Sequence, residues 1–222
     1  MGHATDIERF LKISPVLPVV TIEDAASACD LARALLAGGV GVMEVTLRSA
    51  AGLPAIEAIA RGVPDVSVGA GSVLRVADLH AAADAGAAFA VSPGATSALL
   101  DAGRSARIAY LPAIATASEL MTGMDAGYGC FKYFPAASAG GLDMLRAFAG
   151  PFPQARFCPT GGITERTLAP YLALPNVLCA GGSWLTPRDL IASHDWARIT
   201  RLARVACRMG RGGKDTAPNN SA

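Results

Sequence analysis

Lysine is scarce in this chain: Lys12, Lys132 and Lys214 stand against sixteen arginines in 222 residues. Acidic and basic residues nearly cancel, leaving a net charge of +1, so the electrostatic signature of a nucleic-acid binder or of a partner for an acidic membrane is missing. Histidine is limited to His3, His80 and His194, with no H-x-x-x-H pair and no carboxylates gathered beside them, which disfavours a metal enzyme. The cysteines, Cys29, Cys130, Cys158, Cys179 and Cys207, are odd in number, far apart and without a C-x-x-C pair. A disulfide framework or a zinc site is therefore improbable. No G-x-G-x-x-G follows the first apolar run, so a dinucleotide fold loses its main support.

A membrane-spanning stretch is lacking too, although the mean hydropathy is +0.38. The longest uncharged run, Thr167 to Pro187, is interrupted by Pro170, Pro175, Asn176 and the pair Gly181 and Gly182. A bilayer helix needs about 20 predominantly apolar residues in continuous register. The N-terminus MGHATDIERF is acidic and has no apolar h-region, so no secretory signal is visible and a cytoplasmic location is expected.

What the chain does have is a recurrent pattern of short apolar runs: VLPVV (16–20), GVMEVTL (41–47), VSVGAG (66–71), FAVSPG (89–94), IAYLPA (108–113), CFKYFPA (130–136), RFCPTGG (156–162) and VLCAGG (177–182). Between them lie Ala-rich stretches such as EDAASACDLARALLAGG, whose apolar spacing suits amphipathic helices ending at glycine. Strands alternating with helices imply parallel pairing, because each crossover back to the same sheet edge needs a helix. Eight such units predict an α/β fold of the (β/α)8 TIM barrel type, one domain over residues 1–210. Thr5 and Glu8 have capping-box spacing, which predicts an extra N-terminal helix. The polar segment RGGKDTAPNNSA, 211–222, is expected to be a disordered tail.

Barrel enzymes carry their chemistry at the C-terminal ends of strands, which turns the runs into a search. In CFKYFPA the period of two sets Cys130, Lys132 and Phe134 on one face and Phe131 and Tyr133 on the other. If the bulky pair packs against helices, Lys132 points into the barrel. There an amine loses hydration, which favours its neutral, nucleophilic form, the form that makes a Schiff base with a ketone. Arginine supplies positive charge nearly everywhere else in this chain, so a retained lysine suggests that the amine itself is needed. The competing view is a strand-end lysine that snorkels to solvent or pairs with a carboxylate.

In GVMEVTLR, Glu44, Thr46 and Arg48 share one parity. Glu44 can serve as general acid and base, and Arg48 can grip a substrate carboxylate in a bidentate fork; mutual neutralisation of the two, or of Lys132, is the structural alternative. The last two strands end in TGG (160–162) and AGGS (180–183), where barrel phosphates commonly sit. Ser183 adds a hydroxyl there. GAGS (69–72) can bring Ser72 toward a carboxylate, and Pro93 of SPG can shape a wall, although both also read as turns.

The combination of AGGVGVMEVTLR, VGAGSVL, AVSPG, SELMTGMDAGY, FKYFPA, RFCPTGGI and LCAGGSWL resembles the bacterial 2-keto-3-deoxy-6-phosphogluconate aldolase family, which includes 4-hydroxy-2-oxoglutarate aldolase activity. The resemblance covers nearly the whole chain apart from the tail. It implies Lys132 as the Schiff-base lysine and Glu44 as the acid and base. It further implies Arg48 and Ser72 at the pyruvate-like carboxylate, Pro93 and Phe134 lining the pocket, and Thr160 on a substrate oxygen. Gly161, Gly162, Gly181, Gly182 and Ser183 would bind phosphate. The family is trimeric and needs no metal or organic cofactor, so a homotrimer acting on a small 2-keto-3-deoxy sugar phosphate and pyruvate is implied. Ser72 stands where the family more often has threonine, which keeps the hydroxyl and loses a methyl. Phosphogalactonate aldolase, another phosphate-binding barrel enzyme such as an epimerase, and a non-catalytic sugar-phosphate binder are the rival readings.

Overall fold

The computed structural model describes residues 7–212, with side chains described through residue 210. Thr5, expected to cap a first helix, and most of the expected tail lie outside these residues. Among the described residues nine parallel strand segments occur: β1 Val16–Val20, β2 Val42–Thr46, β3 Ser67–Gly71, β4 Phe89–Val91, β5 Ala109–Leu111, β6 Ala113–Ile114, β7 Cys130–Tyr133, β8 Arg156–Pro159 and β9 Ala180–Gly182. Helices alternate with them: α1 Ile7–Leu11, α2 Ala28–Ala37, α3 Gly52–Gly62, α4 Val76–Asp84, α5 Ser97–Ser105, α6 Ala117–Asp125, α7 Gly141–Ala149, α8 Glu165–Leu172, α9 Arg188–Ala192 and α10 Trp196–Gly212.

Each apolar run of the sequence holds a strand, and one run holds two. The break falls at Pro112, between β5 and β6. Proline has no N–H to donate to a ladder, so regular pairing cannot pass through it. Six strands form one sheet in the order β5-β4-β3-β2-β1-β9, and three form another in the order β6-β7-β8. The Pro112 carbonyl accepts the Lys132 amide at 2.9 Å, stitching the two sheets at one seam. At the other seam, isolated parallel bridges join Phe157 to Val177 and Thr160 to Gly181. The result is a mixed α/β fold built on curved parallel sheets. Among the described residues no helix is long and apolar enough to cross a membrane.

The period of two sorts side chains cleanly. Phe131 and Tyr133 face outward into the helical layer, where Tyr133 meets Phe148 of α7 edge-on at 6.2 Å between ring centroids. Met43 and Val45 of β2 join the same outer core. The opposite parity builds a separate inner core that includes Leu17, Val42, Phe89, Leu111, Cys130, Cys158 and Cys179. Helix α1 closes it from below, with Ile7, Phe10 and Leu11 buried and the Phe10 ring 5.2 Å from that of Phe89. Each such side chain contributes about 1.5–3 kcal/mol on full burial, so even this short helix is firmly held by tertiary contacts.

The three inner cysteines are part of this floor. Burial pushes the Cys130 thiol up to about 12. The Cys179 thiol is raised well above its ordinary value by its hydrogen bond to the Cys158 sulfur, 3.5 Å away, and then by burial. Thiolate is the reactive form, so Cys130 and Cys179 serve as packing and not as nucleophiles.

Candidate active site

Above the floor, at the C-terminal ends of the strands, Lys132 and Glu44 meet across the interior. Lys132 Nζ donates to Glu44 Oε1 at 3.1 Å and to Oε2 at 3.3 Å. Both residues are buried, Lys132 at 5% and Glu44 at 1% exposure. Taking two charges out of water is expensive and a packed apolar pair of similar volume is often no less stable, so stability alone does not account for the pair. The Phe134 ring lies 5.5 Å from the amine, close enough for a cation–π contact.

Room for the carboxylate is made by Gly71 at the end of β3. A methyl at that position would lie 2.1 Å from Glu44 Oε1 and 2.5 Å from its Cγ. Gly71→Ala is therefore expected to push the carboxylate off Lys132 and lower kcat by about 10²-fold, the scale of a misplacement of about 1 Å. Steady-state turnover compared with the thermal midpoint separates this from unfolding; unchanged turnover would count against Glu44 as a positioned group.

Arg48, just beyond β2, sends its Nε to the Ser72 hydroxyl at 2.9 Å. Ser72 has φ 59°. That left-handed region is a genuine outlier for β-branched residues, so serine fits it with less strain than threonine would. Thr46, of the same parity as Glu44, meets the Thr21 hydroxyl at 2.9 Å.

A cavity of about 410 Å³ opens over the lysine. Lys132, Arg48, Phe134, Thr160, Gly161, Gly162, Gly181, Gly182 and Ser183 all line it, gathering nine of the expected residues. Gly161 and Gly162 have φ 101° and 75°, which non-glycine residues adopt only with strain. The glycine pair after β8 is thus required by the turn itself. Gly181 has another role: a methyl there would lie 2.1 Å from Thr160 Oγ1, so the missing side chain lets that hydroxyl sit inward.

Three expected residues are not in the lining: Glu44 is buried behind Lys132, to which it is hydrogen-bonded, and Ser72 and Pro93 stand apart. Ser72 is not among the residues lining the cavity and accepts the Arg48 hydrogen bond. Pro93 is not in the wall either; β4 ends at Val91, so the proline lies in the loop beyond the strand. The structure adds Val19, Thr21, Thr186 and Arg188 to the lining. Parity in VLPVVT could have suggested Val19 and Thr21, but Thr186 lies in the loop after the last strand and Arg188 opens the short helix α9, and neither sits in a stretch long enough to show a period. A larger cavity, about 660 Å³, lies at the other end of the fold beside Ile13, Pro15, Leu172 and Val177. Among the described residues Lys12 is its one charged lining residue, and it is paired with Glu8.

Residues 7–202 match the sequence profile of the family described as KDPG and KHG aldolase. The chain is similar to the 2-dehydro-3-deoxy-phosphogluconate aldolase of Pseudoalteromonas atlantica, with 54% identity over 86% of this chain and 89% of that one. It is 51% identical to the KHG/KDPG aldolase of Escherichia coli K12, over 91% and 95% of the two chains. Its fold superposes, with a TM-score of 0.89 and 46% identity, on a crystal structure of KDPG aldolase from Legionella pneumophila, over 90% of this chain and 97% of that one. In that crystal pyruvate was captured at low pH as a covalent carbinolamine intermediate.

Proposed function

The chain belongs to the KDPG and KHG aldolase family, and from that premise we propose that it cleaves 2-dehydro-3-deoxy-6-phosphogluconate to pyruvate and glyceraldehyde 3-phosphate on Lys132. The observation that carries this reading is the buried amine 3.1 Å from the Glu44 carboxylate, facing an open cavity. Such a pair can pass a proton without solvent, which imine chemistry requires at several steps.

Lys132 gives its proton to Glu44, and the neutral amine adds to the C2 ketone to form a carbinolamine. Glu44 returns a proton to the departing hydroxyl, which leaves as water, and a cationic imine remains. The Glu44 carboxylate, directly or through a water, then takes the proton of the C4 hydroxyl while the C3–C4 electron pair flows into the imine. Glyceraldehyde 3-phosphate departs, the enamine is protonated at C3, and hydrolysis releases pyruvate and the free lysine. Arg48, oriented by Ser72, holds the C1 carboxylate, Thr160 contacts a substrate oxygen and Phe134 lines the reacting end. The turns at Gly161, Gly162, Gly182 and Ser183 receive the phosphate. The same steps take 4-hydroxy-2-oxoglutarate to pyruvate and glyoxylate, a reading favoured by the combined KHG/KDPG name of the E. coli relative.

An eight-stranded closed barrel is the architecture we propose for this site, with Ala109–Leu111 and Ala113–Ile114 counted as one strand interrupted at Pro112. A cytoplasmic homotrimer is the proposed setting, and exposed Leu74 and Met121 are apolar surface that an interface would cover.

Incubation with pyruvate and borohydride tests the reading. An imine-forming enzyme acquires a stable adduct that peptide mapping places on Lys132. An epimerase or a passive sugar-phosphate binder acquires none, and that result would remove the proposal.

A further inference from the structure

We infer that Arg188 selects phosphorylated over unphosphorylated substrates by exchanging Glu23 for the substrate's terminal phosphate. The inference rests on the aldolase reading above and adds a residue to it. Among the described residues three cations, Arg48, Lys132 and Arg188, line the cavity, and no carboxylate does. Two of the three are committed elsewhere. Lys132 is held by Glu44, and Arg48 by Ser72 on the side of β2 and β3.

Arg188 alone stands at the glycine-rich end, five residues past Ser183 in the sequence. Its Nη2 lies 3.6 Å from Glu23 Oε1, with the side chains 78% and 69% exposed. An ion pair that long and that wet is screened and adds little. Arg188 also lines an adjoining cavity of about 340 Å³, which holds Glu23, Asp24 and His194, and Thr21 lines both cavities. The arginine therefore belongs to the partition between an acidic vestibule and the catalytic cavity, with open space on either side.

Neutral donors at the glycine turns accept a hydroxyl, a carboxylate or a phosphate with modest discrimination. A guanidinium is different, because its planar fork binds a phosphate dianion bidentately with charge-assisted hydrogen bonds. 4-Hydroxy-2-oxoglutarate ends in a carboxylate attached directly to C4, short of the reach of a 6-phosphate, so with that substrate Arg188 stays with Glu23. Selectivity then arises as a difference between two occupancies of one side chain.

The test compares Arg188→Ala, Arg188→Lys and Glu23→Gln with the wild-type enzyme on 2-dehydro-3-deoxy-6-phosphogluconate and on 4-hydroxy-2-oxoglutarate. In Arg188→Ala the ratio of kcat/KM for the phosphorylated over the unphosphorylated compound should fall about tenfold, through KM and not kcat, as expected for a lost charge-assisted contact. The inhibition constant of inorganic phosphate should rise by a similar factor. Arg188→Lys should restore part of the ratio, since it keeps the charge without the fork, and Glu23→Gln should lower the KM for the phosphorylated compound. Equal losses on both substrates, or no change on either, would overturn the assignment. The pyruvate and borohydride adduct separates the two levels. If wild-type protein forms it and the ratio does not move, only the role of Arg188 fails; if wild-type protein forms none, the aldolase reading fails and this inference with it.

Discussion

Lys132→Arg should abolish turnover and the reduced pyruvate adduct together while leaving the protein folded. The guanidinium stays protonated at any working pH and has no lone pair to offer a ketone, so the covalent route closes. Loss of a covalent nucleophile is on the order of 10⁶-fold in kcat. The substitution keeps a positive charge opposite Glu44, which avoids stranding a buried carboxylate. Circular dichroism and the thermal midpoint check that the fold survives, and mass spectrometry after borohydride checks the chemistry. Residual turnover above the assay background, or an adduct that persists in the variant, would move the nucleophile away from this strand. Lys12 is the other described lysine, and its ion pair with Glu8 lies by the opposite cavity.

Glu44→Gln should leave a protein that still forms the pyruvate adduct, slowly, and that cleaves substrate about 10²–10⁴-fold less well, the usual contribution of a positioned acid–base group. The amide has the shape of the carboxylate, so Gly71 still accommodates it. It cannot, however, take the proton of the C4 hydroxyl. Removing one partner of a buried ion pair is destabilising by about 3–5 kcal/mol, so a lower thermal midpoint is expected as well. Turnover measured well below that midpoint isolates the chemical effect. If kcat were within twofold of wild type there, another group or solvent would carry the proton, and Glu44 would be only a counter-charge for Lys132.

These two residues mark the boundary between local and tertiary information. That Lys132 faces opposite to Phe131 and Tyr133, and Glu44 opposite to Met43 and Val45, follows from the pleat of a single strand, a property of consecutive backbone dihedrals. The eight apolar runs and the helices between them were legible for the same reason, since hydrophobic period needs only neighbours in sequence. The break at Pro112 was legible in principle, because the missing N–H is a property of that residue, yet it interrupts a run that otherwise reads as one strand.

Contacts between distant strands are another matter. Lys132 and Glu44 are 88 positions apart, and their meeting depends on how the sheets curve and on the register at each ladder. The purpose of Gly71 and Gly181 is likewise invisible in a string of letters, because it concerns what a methyl would strike on the next strand. Ser72 and Pro93, expected near a substrate carboxylate and in the pocket wall, are not among the residues lining this cavity, and Ser72 accepts a hydrogen bond from Arg48. Arg188 carried no signal at all, since it opens a helix of only 5 residues, Arg188–Ala192, too short to show the period that tells which way a side chain goes.

By itself, then, the sequence determined which segments become strands, which parity of each turns inward, and which residue types the interior would have to accommodate. Only the tertiary structure decided which inward side chains touch, which glycines clear space for them, and where the remaining cation stands. Backbone periodicity is set by short-range sterics, whereas proximity across a curved sheet is set by the sum of every twist and register between two strands, which no short window of residues contains.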